Sequence, residues 1–462
     1  MQQRSRTAAL ATALATALAI ALLPLAAQAT GSNRQAGDAF ASTYQPLPSV
    51  PVLISGATVL DGAGARLDNA DVLMVDGRIA AVGVGLQAPA DALRIDGSGK
   101  WVTPGIIDVH SHLGVYPSPG VQAHSDGNEM TNPVTAHVWA EHSVWPQDPG
   151  FAAALAGGVT SLQILPGSAN LVGGRSVTLK NVPATTTQAM KFPGAPYGVK
   201  MACGENPKRV YGGKGGPATR MGNMAGHRAA FIDAAEYARK QAAADGKRAD
   251  SSAPKRDLKL ETLAGVLDGE IIAHIHCYRA DEMTNMLDLA EEFGFQVGTF
   301  HHGVEAYKIA DRLADEGVCA ALWADWWGFK MEAFDGIQEN IALVDRLENS
   351  CAIVHSDSDE GIQRLNQEAA KVIANARRAG IEIAPERAMT WLTGNAARSL
   401  GIAGHTGTLA PGKMADVVIW NGTPFSSYAL AEQVFIDGAR VYDRSDRRLQ
   451  PVSDFRLGQE AN

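Results

Sequence analysis

Two histidines one residue apart, His110 and His112, close the apolar run that starts at Ile106. On a β-strand, side chains i and i+2 share a face and lie roughly 6.6–6.8 Å apart along the strand. Imidazoles so placed can converge on one metal ion, each at about 2.0–2.1 Å. Alone, such a pair is more often an ordinary surface feature, so its partners decide its meaning. Three later apolar runs supply them. His276 ends the run from Ile271, His301 and His302 end the run from Gln296, and Asp357 ends the run from Cys351. Neutral imidazole and carboxylate donors suit zinc or a similar divalent ion.

For these side chains to meet, the strands that carry them must point the same way. Between Ile106 and about Gly404, apolar strand-like runs alternate with helical stretches such as 228–243 and 280–293. The strands are read at 106–112, 158–165, 176–180, 198–203, 270–277, 296–301, 319–323 and 351–356. Eight such units predict an α/β fold, a closed (β/α)8 TIM-like barrel over 106–404, with the histidines and Asp357 at strand C-termini. Thr103-Pro104-Gly105 is a turn signal just before the first of them. Short strands with Asp-Gly hairpin turns precede the barrel, at Asp61-Gly62 and Asp76-Gly77, and another follows it at Asp437-Gly438. Residues 49–105 and 405–450 are therefore expected to form one small β-sandwich from both ends of the mature chain. Residues 30–48 read as a linker and 451–462 as a tail.

The balance of the chain excludes some classes. A formal net charge of −9 argues against a general nucleic-acid binder. At the N-terminus, Arg4 and Arg6 precede an Ala/Leu-rich run closed by Ala27-Gln28-Ala29. That is the order of a secretory signal peptide over 1–29, with cleavage after Ala29 and a periplasmic or secreted mature protein. An uncleaved anchor is the alternative, and no later run is long enough to span a membrane. Cys203, Cys277, Cys319 and Cys351 sit in or beside apolar runs, where buried unpaired thiols are expected, with Cys203–Cys277 the one pairing left open. Across 201–260, Lys and Arg outnumber acids two to one, so this Gly-rich stretch is either an anion-receiving loop at the barrel mouth or a solvated one.

His-x-His on the first strand, single histidines on the fifth and sixth, and Asp on the eighth resemble the pattern of the amidohydrolase superfamily. The closing stretch Gly407–Trp420 is similar to a recurrent ending in that superfamily, and 102–112 and 384–396 resemble its imidazolonepropionase and Xaa-Pro dipeptidase branch. The resemblance covers nearly the whole mature chain and implies a metal-dependent hydrolase. His110, His112 and Asp357 would bind the deeper of one or two divalent ions, zinc being the expected metal, and His276 and His302 a second ion or the substrate. His301 is expected to point outward to the helices, and His274 to pack in the core. A carboxylated lysine often bridges two ions in this superfamily; Lys200 is the leading candidate, with Lys180 and Glu205 as rivals. Water activated by metal would attack the substrate carbon, with Asp357 as base and then acid and His276 polarising the substrate.

Tyr278 and Arg279, directly after His276, could hold a substrate carboxylate, and Trp323 with Trp326 and Trp327 could wall a pocket. The expected activity is exported cleavage of C–N bonds in a dipeptide, N-acyl amino acid or cyclic amide. The alternatives are an imidazolonepropionase- or deaminase-like hydrolase acting on a ring, and a barrel that binds metal or ligand without turnover. A small-molecule substrate is the expected partner, with no nucleic acid and no stable membrane insertion after signal cleavage. Homo-oligomerisation is left open.

Overall fold

The computed structural model describes residues 40–245 and 254–450. The expected signal peptide and C-terminal tail lie outside them. The described part begins with β1 (Val52–Leu60), β2 (Arg66–Val75), β3 (Arg78–Gly83), β4 (Leu93–Asp96) and β5 (Trp101–Pro104). Between β2 and β3, Asp76 and Gly77 have φ of 50° and 73°, the left-handed pair that a two-residue hairpin turn demands.

The chain then enters the barrel through β6 (Ile106–Ser111), β7 (Val159–Ile164), β8 (Val172–Lys180), β9 (Gly198–Ala202), β10 (Ile272–Cys277), β11 (Val297–His302), β12 (Cys319–Leu322) and β13 (Ala352–Val354). These eight pair in chain order. β6, β7 and β9 are buried along their whole length, as strands must be when helices cover one face and side chains fill the other. The ring is drawn together between β13 and β6. Val354 N–H donates to the Trp391 carbonyl and Ile107 N–H to that of Leu392, while Asp357 N–H donates to His110 O at 3.0 Å.

β14 (Val417–Trp420), β15 (Ala431–Ile436) and β16 (Ala439–Asp443) return to the first sheet. β14 pairs antiparallel with β5, so 52–104 and 417–443 build one connected eight-stranded sheet.

β8 departs from the expected all-parallel barrel. It runs antiparallel to both β7 and β9, while the other barrel pairs are parallel. Only Leu165–Leu171 separates β7 from β8, and a parallel neighbour needs a crossover of about a dozen residues or more. The reversal carries Lys180 to the barrel floor, opposite Ser161 near the start of β7. There its ammonium lies 3.0 Å from both Asp416 Oδ1 and Asp437 Oδ2. Lys180 is thus removed as a rival metal-bridging residue.

Two further expectations are corrected. All four cysteines are paired, Cys203–Cys277 and Cys319–Cys351, with Cα separations of 5.3 and 4.5 Å. Each bridge joins the ends of adjacent parallel strands, whose spacing of roughly 4.7–4.9 Å suits a disulfide. The stretch read as a linker buries Tyr44, whose hydroxyl donates to Asp437 Oδ2 at 2.6 Å. The insertion between β9 and β10 is mostly helical, at Glu205–Tyr211, Arg220–Asp245 and Leu258–Leu267.

Candidate metal centre

β6 brings His110 and, just beyond its end, His112 to the barrel mouth. His112 Nδ1 stands 2.9 Å from the Leu165 carbonyl oxygen, which offers no proton. The ring must donate there, so Nε2 is the nitrogen turned toward the site. His112 Nε2 and His110 Nε2 lie 3.3 and 3.4 Å from the same oxygen, Asp357 Oδ1. Asp357 is presented by the turn after β13, where its φ of 50° reverses the backbone. Burial raises its carboxyl, but the hydrogen bond and charge of His112, with the charges of His355 and Lys200, outweigh that and hold it below the usual carboxylate range.

His302 has a φ of 74°. This breaks the alternation of β11, so His301 and His302 both face the barrel interior. The expectation that His301 points to the helical layer is therefore wrong. His301 is fully buried, with Nδ1 2.8 Å from His110 Nδ1 and Nε2 3.0 Å from His274 Nδ1. His274 in turn reaches the Gln163 amide at 3.2 Å. These groups form a buried row that ends on His110 and orients its ring, leaving Nε2 for the mouth. His274 packs in the interior, as expected.

His355 escaped the sequence reading. It repeats at the end of β13 the i, i+2 spacing of His110 and His112, as His355-Ser356-Asp357, and that spacing was the signal available. Its ring stacks on His110 with centroids 5.1 Å apart and lies 5.0 Å from His302. His110, His302 and His355 form a second group whose donor atoms all lie within 4.8 Å of one another. His276 belongs to neither triad; its ring is 4.7 Å from that of His302. Burial first, and then neighbouring lysine and histidine charges, pushes His110, His276, His301 and His302 well below the ordinary histidine range. His355 is pushed down to about 3 by burial, against the pull of Asp357.

Of the bridging candidates, Lys200 stands with the histidines. It is buried, its Nζ is 3.5 Å from His110 Nε2, and burial lowers it to about 8 against the attraction of Asp357. Glu205 instead faces Lys330 at 3.3 Å. Tyr278 and Trp323 line the site: Tyr278 lies 4.7 Å from His276, and Trp323 stacks on His302 at 4.2 Å. Arg279 does not. Its guanidinium is 43% exposed and forks onto Asp281 with two contacts of 2.9 Å.

The model of the amidohydrolase family matches residues 337–444. An amidohydrolase from Thermotoga maritima MSB8 superposes with a TM-score of 0.77 at 36% identity, over 85% of this chain and all of that one. The chain belongs to the amidohydrolase family. Amidohydrolase tasK of Hapsidospora irregularis is 31% identical over 429 residues, 87% of this chain but 42% of its own length, so the chain spans less than half of that relative. A prolidase solved with N-methylphosphonate-L-proline, at 17% identity and a TM-score of 0.52 over 85% of this chain and 99% of its own, shares the fold.

A divalent metal, which membership of this family implies, fits the donors of this amidohydrolase. Ligand atoms at about 2.0–2.2 Å from one tetrahedral centre stand about 3.3–3.6 Å apart. The separations of His110 and His112 from Asp357 match that spacing. Nδ1 of His276, Nδ1 of His302 and both nitrogens of His355 are buried without a hydrogen-bond partner. Buried polar atoms ordinarily have one, and neutral imidazole is the form that binds metal.

Proposed function

We propose that this amidohydrolase is an exported, metal-dependent hydrolase that cleaves C–N bonds in small amides such as dipeptides, N-acyl amino acids or cyclic amides. The convergence of His110 Nε2, His112 Nε2 and Asp357 Oδ1, within 3.3–3.4 Å of the shared oxygen, carries this reading. His110, His112 and Asp357 would hold one ion. His302, His355 and His276 would hold a second, and Lys200, if carboxylated, would supply an oxygen donor beside His110. A divalent ion such as zinc supplies Lewis acidity, which polarises a carbonyl and acidifies water.

The chain's own groups do the rest. Asp357, held ionised, accepts the proton of the attacking water at its carboxylate and returns it to the departing nitrogen. Ser356 and Asp108 hold that turn in place: Ser356 N–H donates to Asp108 Oδ1 at 3.2 Å, and Ser356 Oγ donates to Asp108 Oδ2. Trp323 and Tyr278 form an apolar wall beside His302 and His276, which keeps bulk water from the scissile bond. The two disulfides support export, because disulfides persist mainly in oxidising compartments. A screen of dipeptides, N-acyl amino acids and lactams against metal-loaded protein tests the reading. Turnover is expected in the wild type and not in Asp357→Asn; equal turnover in both would refute the role of Asp357.

A further inference from the structure

We propose that Lys330 forms an anion subsite that takes the free carboxylate of the substrate, so that the enzyme selects amides whose nitrogen side ends in a carboxylate. The inference rests on the hydrolase reading and narrows its substrate class. Arg279, the cation next to the site in sequence, is engaged by Asp281 at the surface. Lys330 comes from the segment after β12 and stands over the site instead. Its Nζ lies 4.3 Å from the Tyr278 ring centroid, 3.1 Å from Asn206 Oδ1 and 3.3 Å from Glu205 Oε1.

Two residues link that ammonium directly to the candidate ligands. Asn206, which accepts from Lys330, places its Nδ2 3.3 Å from His276 Nε2. Tyr278, beneath the ammonium, packs against both His276 and His302. In an N-acyl amino acid the carboxyl carbon is two bonds beyond the scissile nitrogen. A substrate with its carbonyl at the histidine cluster therefore extends its carboxylate toward the Tyr278–Lys330 wall.

The charges around Lys330 leave room for an anion. An ammonium has three N–H donors, and Asn206 and Glu205 engage two of them. The other acids nearby, Glu282 and Glu332, share Arg220, and a second cation, Arg209, stands 3.5 Å from Asn206 Oδ1 and offsets the remaining negative charge. Lys330 is 19% exposed, so a ligand in the cleft can reach it while much of its surface is shielded from water, where a charge-assisted hydrogen bond is strongest. Phe329 and Trp326, from the same segment, stand against Trp323 at 5.6 and 5.2 Å and offer an apolar wall to the side chain beside the carboxylate.

The test uses the full metal-loaded chain and two probes, N-acetyl-L-phenylalanine and N-acetyl-L-phenylalaninamide, which differ only in the carboxylate. By calorimetry the wild type is expected to bind the acid about tenfold or more tightly than the amide. Lys330→Met should bring the two within about threefold, and Lys330→Arg should keep part of the preference. Equal binding of the two probes by the wild type, no binding of either, or an undiminished preference in a Lys330→Met protein of unchanged melting temperature would each overturn the proposal. Hydrolysis of the same probes separates the two readings. Lys330-dependent binding of the acid without turnover of any amide would sink the hydrolase reading and leave the subsite standing, whereas turnover without acid preference would sink the subsite alone.

Discussion

His301 neither belongs to a candidate triad nor reaches solvent, yet its replacement should be felt at the metal. Its Nδ1 is the hydrogen-bond partner of His110 Nδ1 and so holds that ring with Nε2 toward Asp357. Partners of this kind are worth about 10–100-fold in metal affinity. His301→Phe, similar in shape but unable to bond, is expected to weaken zinc binding by that factor in competition with a chromophoric chelator. His301→Asn, which retains a polar group, should lose less. Unchanged affinity in His301→Phe would mean that the buried row does not orient the ligand. The candidate ligands were legible because His110, His112, His276, His302 and Asp357 each end an apolar run. His301 was misread because strict alternation along β11 fails at the positive φ of His302. His355 was overlooked although it stands at the same spacing from Asp357 as His110 from His112.

At the scale of elements, the reversed strand β8 ties the barrel to the other sheet. Lys180, fully buried, meets Asp416 and Asp437, and Tyr44 closes the cluster with its bond to Asp437. Asp437 lies in the β15–β16 turn, so a single lysine joins the barrel floor to the sheet built from both ends of the described chain. Burial first, and then the charge of Asp416, raises the Asp437 carboxyl, while Lys180 opposes the rise. Removing one member of a buried charge group leaves the others uncompensated, at a cost of about 3–5 kcal/mol. Lys180→Met is expected to lose stability on that scale in denaturant unfolding; a loss below about 1 kcal/mol would show that Asp416 and Asp437 find other partners. Strand positions were readable from apolar runs and hairpins from Asp-Gly pairs. The direction of β8 was recorded only in the short connection 165–171, and the disulfides only in a strand adjacency that spacing along the chain does not reveal.

Across the whole molecule, acid should loosen the fold through buried neutral histidines away from the metal as well as near it. His227, in the helix Arg220–Asp245, is fully buried with Nε2 3.1 Å from the Ala202 carbonyl, and burial lowers it to about 4. Its folded value lies below its ordinary one, so its contribution is complete above about pH 6.5 and is lost as pH falls toward about 4, where the unfolded chain takes up the proton first. His227→Gln should flatten that part of the stability profile by about 3 kcal/mol between pH 7 and pH 4, measured by denaturant unfolding at each pH. An unchanged slope would assign the acid sensitivity elsewhere. The barrel, the second sheet and the strand ends that bear the site were readable in the sequence because each follows from local periodicity. Of the proposed substrate wall, Tyr278 and Trp323 were readable beside the strand ends, whereas Lys330 and Asn206 were not, since they come from separate segments that only the fold brings to Tyr278. The central claim is that the histidine and aspartate cluster is a hydrolytic metal centre, and metal titration of stripped protein tests it most directly. Chelator-treated protein should hydrolyse none of the screened amides, and one or two equivalents of zinc per chain should restore turnover in the wild type but not in Asp357→Asn. Full turnover by metal-free protein, or failure of the wild type to take up a divalent ion, would contradict it.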